Sequence, residues 1–340
     1  MAANDAIRRS VVLKRRPRGE PRAADFEIRE DQIPVPGPGE VVTRTIWLSI
    51  DPYMRGRLRE EQTYAVAIQI GEVMTGETVG EVIASNHAGY VAGDIVVGVR
   101  GWQSHGVAKG DHLVKIARGG APLSTYLGAL GMPGATAYAG ITEICKPKAG
   151  ETVVISAASG AVGSVAGQLA KRAGARVVGI AGGPEKCLWV QDSLGFDACV
   201  DHRSHDLSVE LKAECPDGID AYFENVGGAV QEAVFGHLNR FARVAMCGMV
   251  SQYNDDVFPR GPNLGFVVGK SILIQGFIVS DRPERIVEWR KLAEPMIVSG
   301  ELIHREDVHE GLERAPDALA GILSGRNFGK LLIKVGPDPI

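Results

Sequence analysis

The sequence predicts an α/β protein in two parts, a compact β-rich unit and a doubly wound parallel sheet. Three observations carry that expectation. Between about Ala24 and Ala117, short β-rich segments such as "GETVGEVIAS" and "GYVAGDIVVGV" are broken by Gly and Pro, the spacing of an all-β or barrel-like unit. From about Glu151 the rhythm changes to strand, helix, strand, helix, with apolar stretches short enough to be buried on both faces of a parallel sheet. The chain's 340 residues also exceed what one hydrophobic core usually holds, about 250 to 300.

In chain order, "RRSVVLKRRPRGEP" (Arg8 to Pro21) alternates basic and apolar residues and reads as a solvated edge strand. "ETVVI" (Glu151 to Ile155) is a buried strand, rich in β-branched residues, and "SAASGAVG" (Ser156 to Gly163) is the turn that follows it. The next helix repeats Val162, Val165, Ala166, Leu169, Ala170 and Ala173 at spacings of three and four, giving one face to the sheet. "RVVGIA", "DACV", "IDAYFE", "ARVAMCG" and "SILIQGFIV" are the further strands, and "NFGKLLIKV" (Asn327 to Val335) is a strand returning to the first unit.

Composition bounds the function. A net charge of -4 and a pI near 6.1 lack the concentrated positive charge of a nucleic-acid or membrane-surface partner. The N-terminus has no apolar signal core and no run approaches the roughly 20 residues of a membrane span, so a cytoplasmic protein is expected. Five cysteines, an odd number without CxxC spacing, fit a reducing compartment and buried thiols. None precedes Cys145, so zinc sites of the usual alcohol dehydrogenase kind lose their ligands, and His87, His105 and His112 read as surface residues.

The turn carries the first chemistry. Gly160 and Gly163 match the second and third glycines of GxGxxG, with Ala158 at the first, and Ala161 and Val162 lie between. The second glycine admits a pyrophosphate to the backbone, the third packs helix on strand, and the helix start supplies amide donors. About 20 residues on, where an NAD site places a carboxylate, stands "GIAGGPEK". Gly182 ends the strand there and Lys186 lies in the next helix, a cation suited to the 2'-phosphate of NADPH.

Six segments in register, "LSIDPYMRGR", "GMPGATAYAG", "AASGAVGSVAGQLAK", "YFENVGG", "CGMVSQYN" and "NFGKLLIKV", resemble the zinc-independent medium-chain reductases of the leukotriene B4 dehydrogenase, prostaglandin reductase and curcumin reductase type. The resemblance implies a GroES-like catalytic domain from residues 1–127 and 306–340, with a Rossmann domain inserted at 128–305. It implies a homodimer, and reduction by NADPH of the carbon–carbon double bond of α,β-unsaturated ketones or aldehydes. By position, Lys186 and His202 would meet the 2'-phosphate, His202 replacing a Tyr of many relatives. With an ordinary His pKa of about 6.5, NADPH affinity would then improve as pH falls. Asn225, Asn327, Met132 and Thr136 would contact the cofactor, as would Cys247, Gly248 and Ser251, while Phe277, Ile278 and Val279 would line the nicotinamide side.

An enone that accepts hydride collects charge on its carbonyl oxygen, so the protein must present a donor there. Tyr253, just past the strand that ends at Cys247 and Gly248, is the expected donor, and Tyr53 the expected substrate-positioning group. The alternative for this segment is a plain turn at Asp51 and Pro52 on which Tyr53 merely packs, with Arg55 and Arg57 only surface charges. Quinone reduction, alcohol oxidation on the same scaffold, and a non-catalytic NADPH-binding protein are the alternatives.

Overall fold

The computed structural model describes residues 7–60, 66–117, 120–204, 206–257 and 259–339. Residues 61–65 and 258, within the loops Arg59 to Gly71 and Asn254 to Asn263 on which the expected size of a substrate pocket depends, lie outside that set. The chain forms two compact units, one of Met1–Leu127, Asp307–Arg326 and Leu331–Ile340, the other of Gly128–Glu306 and Asn327–Lys330. No helix among the described residues is long and apolar enough to cross a membrane.

The first unit opens with β1 (Ile7–Leu13) antiparallel to β2 (Phe26–Gln32). β1 is not a solvated edge. Its other side bonds Trp102 and Glu72 through the Val11 and Leu13 amides, and Val11, Val12 and Leu13 are fully buried. The arginines stay outward, Arg8 pairing with Asp31 at 2.9 Å. β3 (Glu40–Ser49), β4 (Glu77–Ser85), β5 (Ile95–Val99), β6 (His105–Lys109) and β7 (Val114–Ile116) are joined antiparallel, with β6 on β3. Their inward residues, including Val41, Ile46, Val79 and Val96, exclude water entirely, and Trp102 stacks on Phe26 with ring centroids 5.7 Å apart.

The second unit begins with α1 (Met132–Ala139) and alternates from β8 (Thr152–Ser156). There follow α2 (Gly163–Arg172), β9 (Arg176–Ala181), α3 (Pro184–Asp192), β10 (Ala198–Asp201) and α4 (Leu207–Glu214). After them come β11 (Ile219–Glu224), α5 (Gly228–His237), β12 (Leu238–Met246), α6 (Gly265–Lys270), β13 (Leu273–Gly276) and α7 (Glu284–Val298). All pairs are parallel, in the order β10-β9-β8-β11-β12-β13. This is the 3-2-1-4-5-6 order of the dinucleotide-binding doubly wound sheet, whose strand order reverses between β8 and β11. The central strands are buried on both faces, β8 along its whole length. On α2, Val165, Ala166 and Ala170 face the core, but Ala173 is exposed because the helix ends at Arg172.

β14 (Glu306–Glu310), α8 (Ala315–Leu323) and β15 (Lys330–Lys334) close the chain. β15 pairs antiparallel with β3, so the last apolar run completes the first sheet in the order β14-β15-β3-β4-β5-β7.

Candidate functional site

The reversal point between β8 and β11 leaves a crevice at the carboxyl ends of the strands, where doubly wound sheets hold ligands. The turn after β8 is built tightly. Ala157 takes a φ of 49°, and a Cβ on Gly163 would lie 2.3 Å from the Ala157 carbonyl, so only glycine lets α2 start there. Gly160 donates to the Ala157 carbonyl at 2.9 Å, and Ala158 is tied to β9 through Ile180 at 3.0 Å. Ala161 and Val162, half-buried, lead into the first turn of α2.

The segment that follows Asn327 meets this turn. Gly329 forms a parallel bridge with Gly160, and Asn327 caps the bend by donating to the Gly329 carbonyl at 2.9 Å. This is why Asn327–Lys330 group with the second unit although β15 goes on into the first sheet.

At the end of β9, Gly182 leaves room for the tip of β10. A Cβ there would stand 2.8 Å from His202 Nε2 and 3.3 Å from Arg203 Nε. Lys186 is near enough to act electrostatically on His202. Burial first, then the Arg203 charge, holds the imidazole below its ordinary pKa. Asp201 turns inward to accept from the Gly183 and Arg203 amides at 2.9 and 3.0 Å, fixing this bend. Gly182, Lys186, His202 and Arg203 thus lie near one another past the end of β9, with His202 and Arg203 exposed. Arg203 was not singled out from the sequence, although it adjoins His202.

Past β11, Asn225 Nδ2 donates to the Ser156 carbonyl at 2.8 Å, which binds this turn to the phosphate-type turn. Past β12, the Cys247 and Gly248 amides donate to the Glu224 carbonyl at 2.9 and 3.1 Å, and Ser251 Oγ donates to the Val226 carbonyl at 2.7 Å. Burial pushes the Cys247 thiol up to about 12, which leaves it no thiolate character at neutral pH. Tyr253 ends a short 3-10 turn, and its hydroxyl folds back to accept from the Met249 amide at 3.4 Å.

Phe277, Ile278 and Val279 follow β13 and line a cavity of about 170 Å³ with Ala139, Ile144 and Arg285. They are not a strand, as β13 stops at Gly276. Met132 opens α1, and Thr136 spends its hydroxyl on the Met132 carbonyl at 2.8 Å, inside its own helix.

In the first unit, Tyr53 lies half-buried on a 3-10 turn (Pro52–Leu58), with the Arg57 guanidinium 5.9 Å from its ring centre. Arg55 is not a surface charge. It is 2% exposed, and its Nε and Nη2 both donate to the Gly19 carbonyl, at 3.2 and 2.9 Å. Nor are the three early histidines alike. His112 is exposed, but His87 and His105 are half-buried, against Asp111 and Ser104. Among the described residues no group of three or more His, Cys, Asp or Glu could hold a metal.

A doubly wound sheet in this order, with a phosphate-type turn at its reversal point, defines the dinucleotide-binding class of α/β proteins, here with a second, β-rich unit. A family model described as the N-terminal domain of oxidoreductase matches residues 9–116, and one described as zinc-binding dehydrogenase matches 161–296. The chain is 46% identical over 336 residues to the NADPH-dependent curcumin reductase of Escherichia coli, covering 97% of each. It is 42% identical to the NADP-dependent 2-alkenal reductase of Nicotiana tabacum, covering 99% of this chain and all of the relative. The crystal structure of CurA from Vibrio vulnificus in complex with NADPH superposes with a TM-score of 0.92 at 43% identity, over 97% of this chain and 100% of that one. The protein belongs to the zinc-independent medium-chain dehydrogenase/reductase family, in the group that holds the curcumin, alkenal and prostaglandin reductases.

Proposed function

We propose that this protein is an NADPH-dependent reductase of the carbon–carbon double bond in α,β-unsaturated ketones and aldehydes. The observation that carries this is full-length kinship with NADPH-dependent enone and enal reductases, combined with the cations Lys186 and Arg203 past the end of β9, where an NAD enzyme has a carboxylate. The residues fit the cofactor. The Ala157–Gly163 turn offers close backbone approach and a helix start for the pyrophosphate, Lys186 and Arg203 offer charge for the 2'-phosphate, and His202 offers a ring that gains charge as pH falls. NADPH bound there supplies the hydride. The protein's part is to hold the reacting carbons within about 3 to 3.5 Å and to put a donor where enolate charge develops. We assign the donor to Tyr253 and substrate positioning to Tyr53. NADPH consumption with an enone, an enal, a quinone and, with NADP, a secondary alcohol tests the reading. Turnover confined to the quinone or the alcohol would overturn it.

His202 makes cofactor affinity depend on pH. A dianionic phosphate favours the imidazolium, so binding raises the His202 pKa. Affinity therefore improves as pH falls through the bound-state value, and levels off only below the free-state value, which burial holds under about 6.5. Titration of NADPH from about pH 8 to pH 5.5 should show that slope in the wild type and a flatter one in His202→Gln. Equal slopes would remove His202 from the 2'-phosphate site.

We infer further that the protein is a homodimer joined at the β13 edge. β13 ends the sheet, and beside it Leu264, Phe266, Val268 and Leu273 are all exposed, an apolar edge unlike a monomer's protected one. Light scattering should give twice the 36.2 kDa chain mass, and a monomer at micromolar concentration would contradict it. We also expect the protein in the cytoplasm, with its scattered thiols reduced, which cell fractionation checks.

A further inference from the structure

Glu224 ends β11 at the reversal point of the sheet and is fully buried. Its Oε1 accepts from the Val226 amide at 2.7 Å, the Gly227 amide at 3.0 Å and Ser156 Oγ at 3.1 Å. Ser156 shares its hydroxyl hydrogen with the Phe223 carbonyl at 3.2 Å, while its Oγ accepts from the Asn225 amide at 2.8 Å. Glu224's own carbonyl takes the Cys247 and Gly248 amides. One residue thus ties together the ends of β8, β11 and β12, the three strands whose turns surround the crevice. A buried carboxyl with no opposite charge among its hydrogen-bond partners is an expensive choice for packing alone, and networks of this kind specify one geometry.

We infer that Glu224 is a positioning residue, which fixes the phosphate-type turn after β8 against the turn after β11 through Ser156 and the Val226 and Gly227 amides. The inference rests on the cofactor reading above and deepens it. The two turns would hold different parts of one dinucleotide, so their separation sets whether both can be held at once. A positioned acceptor, rather than a charge, is what the network needs. Burial, opposed by the Val226 and Gly227 amides, raises the carboxyl above its ordinary range, and glutamine keeps an acceptor oxygen in place of Oε1 without the charge.

The experiment measures NADPH binding by fluorescence without substrate, then KM for NADPH and kcat with an enone, for Glu224→Ala, Glu224→Gln and Ser156→Ala. Glu224→Ala should weaken Kd and raise KM for NADPH by about tenfold or more, with a smaller change in kcat, because the turns lose their set separation. Glu224→Gln should recover most of the wild-type affinity, since its amide oxygen still accepts. Ser156→Ala cuts the link between turns but leaves Oε1 on Val226 and Gly227. It should weaken NADPH binding in the same direction, and it decides the matter if Glu224→Ala does not fold. Wild-type affinity in Glu224→Ala, or in Ser156→Ala where the former fails to fold, would overturn the assignment. So would a glutamine variant as weak as the alanine one. Because binding is read with NADPH alone, failure of the protein to reduce any enone would sink the reductase reading without touching this one.

Discussion

Tyr253→Phe lowers kcat for enone reduction by about 10²-fold or more, the loss that follows removal of one donor aimed at developing oxyanion charge. The change should fall on kcat and kcat/KM alike, as expected of an interaction made mainly in the transition state. The variant should keep its fold and its NADPH affinity. Tyr253 is only half-buried on a surface turn, and its acceptance from the Met249 amide is long at 3.4 Å, so phenylalanine loses it at small cost. Steady-state kinetics with a medium-chain enone checks this. A kcat close to that of the wild type would transfer the donor's part to another group, and a large rise in KM for NADPH alone would make Tyr253 a cofactor contact.

Removal of the cations past β9 has the second large effect. One charge-assisted hydrogen bond to a 2'-phosphate is worth about 1.5 to 3 kcal/mol, roughly a 10- to 100-fold change in affinity. Lys186→Ala should raise KM for NADPH by that order, and Lys186→Ala with Arg203→Ala by more. KM for NADH should hardly move, since NADH has nothing for these side chains to meet. The ratio of kcat/KM for the two cofactors reads the effect directly. Equal losses for both would place Lys186 and Arg203 outside the 2'-phosphate site and make their role structural.

The fold class and the family were legible because both lie in local pattern. β-branched runs such as "ETVVI" have one home in a parallel sheet, and a glycine turn between strand and helix has a recognisable spacing. What escaped depends on residues far apart in the chain. Arg55 is buried because a carbonyl 36 positions earlier accepts from it. Asn327–Lys330 belongs with the second unit because Gly329 meets Gly160, which no periodicity announces. β1 reads as an edge until the Trp102 and Glu72 carbonyls cover its free side.

The candidate site divides along the same line. The Ala158–Gly163 turn, Gly182, Lys186 and Asn225 follow from position relative to predicted strands, and they do stand along the carboxyl edge of the sheet. Arg203 adjoins His202, and Glu224 lies inside "YFENVGG", yet neither carried a local signal. Their significance comes from the tip of β10 meeting Gly182, and from β8 lying beside β11. Thr136 illustrates the converse, a hydroxyl that positional analogy offers to the cofactor but that bonds back within its own helix.

The central claim is hydride transfer to the β-carbon of a conjugated carbonyl compound. The most direct test is the reaction of an enone with NADPH deuterated at the transferring position of the nicotinamide, with the product identified by NMR. The account predicts a saturated ketone carrying one deuterium on the former β-carbon. An allylic alcohol with deuterium on the carbinol carbon, or a saturated ketone with none, would contradict it.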